Sequence, residues 1–131
     1  LSYCKSLPGI EIPNSVKTIG NYAFYKCENL TKIEIPNSVK TLGDYAFSFC
    51  KSLTEIEISE SLETIGDGAF SYCKNLTEID IPKSLETIGN NAFFNCTNLQ
   101  EIIIDNTEEF IFQNWAKGWK SHCDAKITYL R

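Results

Sequence analysis

The chain has 131 residues, 43% of them hydrophobic, with a formal net charge of −5 and a pI near 4.9. That acidity argues against non-specific binding to nucleic acid or anionic membranes, which needs basic patches. No apolar run approaches the roughly 18 residues of a membrane span, and there is neither a secretory leader nor an initiating methionine.

Residues 1–27, LSYCKSLPGIEIPNSVKTIGNYAFYKC, set a pattern that the following segments repeat. Cys4, Cys27, Cys50, Cys73 and Cys96 stand 23 residues apart, and so do Phe24, Phe47, Phe70 and Phe93. Leu7, Leu30, Leu53, Leu76 and Leu99 form another column, and Gly20, Gly43, Gly66 and Gly89 a fourth. A fixed period held over about 100 residues is the signature of a stacked repeat. Each unit is too small to bury its own apolar face and must bury it against its neighbours. Leu1 falls in the column of Phe24, so the chain starts in mid-repeat and reads as a piece of a longer protein. The missing targeting signals then carry no information about location.

In residues 29–50, NLTKIEIPNSVKTLGDYAFSFC, Leu30, Ile33 and Ile35 alternate with Lys32 and Glu34. That period of two predicts a short strand with one buried face. Pro36 stops it and Asn37-Ser38 supply turn chemistry. Val39 and Leu42 predict a second short apolar pass, and Gly43 a turn that needs glycine's freedom. DYAFSFC reads as a brief helical or 3₁₀ turn laying Ala46, Phe47 and Cys50 inward. Successive strands must pair in parallel, about 4.8 Å apart.

The units at 10–30, 33–53, 56–76 and 79–99, of the form IxIPxSVxxIGxxAFxxCxxL, resemble the BspA-like branch of the leucine-rich repeats. The resemblance covers residues 1 to about 105 and implies a curved, right-handed solenoid. It puts short parallel β-strands on the concave face and short helical or 3₁₀ turns elsewhere. The third unit departs from the pattern at Ser59, where others have proline, and Asp105 stands there at the end. Both weaken the turn signal locally.

Residues 106–131 break the lattice and carry both tryptophans and a final alternating strand, Ile127 to Leu130. The reading is therefore a solenoid over 1–105 and a C-terminal capping segment over 106–131. Trp115 and Trp119 are expected to cover the last coil, because an open solenoid end exposes an apolar cross-section.

Five of the six cysteines share one column. Stacked about 5 Å apart with parallel side chains, they are expected to pack as small hydrophobes rather than to bond, since a disulfide needs converging Cβ vectors near 3.8 Å. Cys96–Cys123 is the one pairing left open. Nothing shapes a tetrahedral metal site around the ladder, and the lone His122 sits far along the chain. Without converging groups or a phosphate loop, no enzyme and no cofactor are expected. The sequons at Asn29, Asn75 and Asn95 recur as part of an Asn/Thr-rich repeat.

The outward strand positions carry the functional signal. One column reads Glu11, Glu34, Glu57, Asp80, Ile103, and its neighbour reads Lys32, Glu55, Glu78, Glu101. Adjacent like charges repel by a few tenths of a kcal/mol per pair, so folding alone would prefer threonine or alternating charge. The columns are read either as a solvated face or as an acidic stripe for a basic partner, with Ile103 and its neighbours as an apolar end. No such consistency marks Lys17, Lys40, Glu63 and Glu86. The resemblance implies a protein-binding module of bacterial or protist surface or secreted proteins, linked to adhesion to host or matrix proteins. The expectation is a monomeric, extracellular or surface-borne binder of a basic protein partner. The alternative is a spacer or stalk that presents another domain.

Overall fold

The computed structural model describes residue 4 and residues 8–131; the columns' places at Leu1 and Leu7 lie outside them. Each coil lays down two strands. The longer set comprises β2 (Lys32–Ile35), β4 (Glu55–Ile58), β6 (Glu78–Ile81) and β8 (Glu101–Ile104). The shorter set comprises β1 (Thr18–Ile19), β3 (Thr41–Leu42), β5 (Thr64–Ile65) and β7 (Thr87–Ile88). One helix, α1 (Glu108–Asn114), and a last strand, β9 (Lys126–Tyr129), complete the described elements.

The short strands form one continuous parallel sheet in the order β1-β3-β5-β7, offset by one repeat at each step: Thr18 partners Thr41, and Thr64 partners Thr87. The long strands also pair in parallel, β2 with β4 and β6 with β8. Their alternation places Ile33, Ile35, Ile79 and Ile81 in the core and Lys32, Glu34, Glu78 and Asp80 in solvent. Between the two sheets lie Leu30, Val39, Leu42, Ala46 and Phe47, all fully buried, and their counterparts, of which Val16 and Ala23 in the first described coil are partly exposed.

The third side of each coil is not helical, contrary to the sequence reading. Ala23, Tyr25 and Cys27 donate their N–H groups three residues back, to Gly20, Tyr22 and Phe24. The intervening Tyr22, Phe24 and Lys26 donate instead to Asp44, Ala46 and Ser48 of the next coil. Tyr22 and Lys26 sit at φ 61° and 60°, as do Tyr45 and Phe49 at 57° and 62°. A left-handed residue every fourth position cannot propagate a helix. The backbone is thereby turned outward to bond between coils, and the apolar spacing of three and four imitates a helical turn without making one.

The glycine column has a different cause from the one expected. Gly66 needs no special φ. A Cβ there would lie 2.7 Å from the backbone nitrogen of Asp44, so close approach excludes a side chain. That approach serves a side-chain ladder absent from the sequence reading. Asn21 Oδ1 accepts the Asp44 N–H at 2.7 Å, Asp44 Oδ1 that of Asp67 at 2.8 Å, and Asp67 Oδ1 that of Asn90 at 2.8 Å.

The cysteine column is buried as expected, with one correction. Cys4 and Cys27 are joined by a disulfide. Their Cα atoms are 5.1 Å apart, inside the range a disulfide spans, so one repeat's rise suffices to bring neighbours within bonding reach. Cys50, Cys73, Cys96 and Cys123 are free and buried, so Cys96 and Cys123 are not bonded. Cys50 Sγ donates to the Phe24 carbonyl, Cys73 Sγ to that of Phe47, and Cys96 Sγ to that of Phe70. Burial pushes Cys50 and Cys96 up to about 12 and raises Cys73 and Cys123 as well.

Residues 106–131 add a further, longer coil. β9 pairs in parallel with β8, but Glu101 meets Lys126, a step of 25 rather than 23, and the strand begins one residue earlier than expected. Thr107 caps α1, its Oγ1 accepting the Phe110 N–H at 3.1 Å. The helix delivers Trp115 and Trp119 to the core. Trp119 meets the Phe93 ring edge-on at 6.2 Å, and Trp115 meets Trp119 at 4.9 Å. His122 is exposed, its ring 4.6 Å from that of Phe94.

Candidate functional site

The solvent side of the long strands carries the sequence-predicted columns. Register places Glu34 beside Glu57 and Lys32 beside Glu55 on β2 and β4, and Glu78 beside Glu101 and Asp80 beside Ile103 on β6 and β8. Glu34, Glu55, Glu57, Glu78 and Asp80 are exposed, and Glu101 and Ile103 half-buried. Glu11 is exposed too, one coil before Glu34. A single bridge between Gly9 and Lys32 joins that first pass to the sheet.

Two features differ from the expected stripe. The far end is not an edge, because β9 covers it: Thr128 lies beside Ile103, and Lys126 beside Glu101. Thr128 Oγ1 also donates to Glu101 Oε2. At the near end Lys32 Nζ stands 3.8 Å from Glu55 Oε2, both about half exposed; such a pair is worth at most about 1 kcal/mol. The acidic centre, Glu34, Glu57, Glu78 and Asp80, is therefore bracketed by lysines. Lys126 and Thr128 escaped the sequence reading because their register jumps by two residues, although the alternation of KITYL was visible.

The second feature is a seam. Among the described residues no backbone hydrogen bond joins β4 to β6, so the face splits into the pair β2-β4 and the triplet β6-β8-β9. At the end of β4, next to it, the sequence departs from the repeat at Ser59. Prolines at 13, 36 and 82 each accept an N–H from three residues on, closing a turn. Ser59 makes no such bond. Its hydroxyl instead donates to the Pro36 carbonyl, one coil back, and accepts the Ser61 N–H. The end of β4 is tied backward rather than forward. Ile58 is half-buried where Ile35 and Ile81 are buried. A groove of about 510 Å³ opens there.

Among the described residues no group of three or more His, Cys, Asp or Glu is placed to hold a metal ion, and no helix is long and apolar enough to cross a membrane. The thiols cannot serve as accessible nucleophiles: all are buried, and burial keeps the free ones protonated.

Residues 1–118 match the family described as "BspA type Leucine rich repeat region", in six copies. No curated protein matches the chain. Among solved structures it is similar to a leucine rich cell surface protein of Faecalibacterium prausnitzii, with a TM-score of 0.76 and 30% identity over 95% of this chain. A leucine-rich repeat protein of Bacteroides capillosus is 26% identical, with a TM-score of 0.63, over 96% of this chain and 79% of its own. The pneumococcal vaccine antigen PcpA, 24% identical with a TM-score of 0.77, shares the fold over 95% of this chain. The chain spans 32% of the Faecalibacterium protein and 31% of PcpA, about a third of each. With the 23-residue columns, the parallel strand ladder and this match over most of its length, the chain belongs to the BspA-type leucine-rich repeat family.

Proposed function

We propose that the chain is a non-enzymatic protein-binding module of a bacterial surface or secreted protein, and that it engages a basic partner through its long-strand face. The observation that carries this reading is the exposed set Glu34, Glu55, Glu57, Glu78 and Asp80 on one face, with Glu34 in register beside Glu57 and Glu78 beside Glu101 on the two sides of the seam. Five carboxylates with one lysine beside them raise the free energy of the folded sheet, so a gain outside folding accounts best for their placement. Concentrated negative charge on a rigid face accelerates encounter with cationic partners, and salt screens it. Residues 106–131 act in this reading as the cap that keeps the stack monomeric. The Faecalibacterium protein's description as a cell surface protein supports the location.

The test is binding of basic host matrix proteins at low and high ionic strength, to the wild-type chain and to Glu57→Lys with Asp80→Lys. The expected result is salt-weakened binding and a slower association rate in the double variant, with folding little changed. Salt-insensitive binding, or an unaffected variant, would move the site to another face. The short-strand sheet and the outer turns bond continuously from coil to coil, which favours a second reading as a stiff spacer. In that case the double variant would behave as wild type in every binding assay, and only the number of coils would matter.

A further inference from the structure

We propose that the seam between β4 and β6 is the anchor subsite of this face, shaped for a basic side chain flanked by an aliphatic one on an extended segment of the partner. The inference rests on the strand-face reading and narrows it to one place.

Within the pair β2-β4 and the triplet β6-β8-β9 the strands are hydrogen-bonded edge to edge, and a larger hollow of about 960 Å³ lies over the first pass, from Gly9 to Asn37. At the seam the pairing lapses. Ile56 reaches 7% exposure where its column neighbours Ile33, Ile79 and Ile102 stay at 1%, 1% and 0%. The resulting groove is lined on its apolar side by Ile56, Ile58, Ile81, Pro82 and Ile103, and by Leu130, which is 61% exposed. Its volume of about 510 Å³ lies within the roughly 300–1,000 Å³ of ligand-holding clefts.

Its rim has one sign. Glu57 and Asp80 stand on the two lips, with Glu60 and Asp105 at the strand ends. Among the described residues no cation pairs with Glu57, Glu60 or Asp80. Asp105 does have a partner, and an informative one: Arg131 Nε lies 2.7 Å from its Oδ1. A guanidinium of this chain's own thus pairs with that carboxylate, leaving Glu57, Glu60 and Asp80 as the unpaired acidic groups of the rim. An apolar lining beside a carboxylate rim matches the long side chain of lysine or arginine, whose methylene stem packs on aliphatic surface while its charge remains at the rim. A purely aliphatic segment would leave the carboxylates unmatched, and an acidic one would be repelled.

The test uses three capped five-residue probes titrated into the ¹⁵N-labelled chain: acetyl-Gly-Leu-Arg-Leu-Gly-amide, the same peptide with citrulline for arginine, and the same with serine for both leucines. The expected result is saturable amide shifts centred on Glu57, Ile58, Asp80 and Ile103 with the first probe, and binding at least tenfold weaker with the other two. Ile103→Ser and Leu130→Ser should each weaken the first probe threefold or more and leave the serine probe unchanged, with the amide spectrum otherwise preserved. Glu63→Lys, just before β5 and outside both the groove and the acidic set, should change the first probe's affinity less than twofold. Shifts spread evenly from Glu11 to Glu101, with no preference for leucine, would overturn the anchor while leaving the acidic face as a binding surface. Absence of shifts on this face with any probe would overturn the anchor, and salt-insensitive matrix-protein binding would then remove the wider reading too.

Discussion

The rings of Phe47 and Phe70 lie parallel one coil apart, 5.6 Å between centroids and 5° between planes. Phe24 below and Phe93 above extend the same stack. All but Phe24 are completely buried, and Phe24 is nearly so. Each ring fills the space between two neighbours that cannot collapse onto each other, because the sheets on either side fix the rise per coil.

Phe47→Ala and Phe70→Ala should therefore each destabilise by about 3–5 kcal/mol, as large core truncations do. Urea unfolding measures it. The double variant should depart from additivity, since the two rings touch. A loss below about 1 kcal/mol at either position would contradict the ring stack.

The side-chain ladder along Asn21, Asp44, Asp67 and Asn90 makes a finer prediction. Asp67→Ala removes the acceptor of the Asn90 N–H and should cost about 1 kcal/mol. Asp67→Asn keeps the oxygen and should be nearly neutral. Gly66→Ala should cost more than Asp67→Ala, because its Cβ would strike Asp44 backbone. An inverted order in thermal unfolding would show that the carbonyl oxygens do not hold the turns.

The thiols predict both labelling and pH dependence. In denaturant without reductant, iodoacetamide should modify Cys50, Cys73, Cys96 and Cys123, and after reduction Cys4 and Cys27 as well. In the native state at pH 8 the first four should remain unlabelled. Mass spectrometry that found six reactive thiols without reductant would remove the Cys4–Cys27 bond.

Burial raises the folded thiol pKa to about 12 at Cys50 and Cys96, from an ordinary value of 9.0. Below pH 9 both states keep the proton and these groups contribute nothing to pH dependence. Above it the unfolded chain loses protons that the folded chain retains, so stability falls as pH rises from about 9 towards 12. The urea midpoint should drop between pH 8 and pH 10.5, and less so in a Cys50→Ala, Cys96→Ala variant. Equal drops in both proteins would assign the loss to groups other than Cys50 and Cys96.

Much of this architecture was legible because identical residues recur at an identical step. Ile33, Phe47, Cys73 and Leu76 declared their burial by their column, and Glu34, Glu57 and Asp80 their exposure by alternation. Besides the Cys4–Cys27 bond, the Asn21–Asn90 ladder and the cause of the glycine column, three things were not legible, each for a physical reason. The outer turns looked helical because inward residues spaced three and four apart fit both structures; Gly68, Asn91 and Asn95 mark the left-handed positions in the later repeats, but tyrosine, lysine and phenylalanine fill the same columns earlier and mask the signal. The partner of β9 was hidden by a step of 25 residues, which takes Lys126 and Thr128 off the lattice. Ser59 was visible as a departure from proline. Its bonding depends on where its hydroxyl finds an acceptor, and that acceptor lies in another coil.

Most junctions between neighbouring coils are laced along three strips: long strands, short strands and outer turns. The junction at Ser59 keeps the last two, through Thr64 beside Thr87 and the Phe70 N–H on the Ala92 carbonyl, and lacks the first. Under tension along the stack, load there falls on two lines of bonds set to one side, and the coils hinge apart on the acidic face before they part elsewhere. Traction along the stack would widen the groove that opens at the seam between β4 and β6. A ligand seated there would then feel the pull directly, and its lifetime would become a function of force.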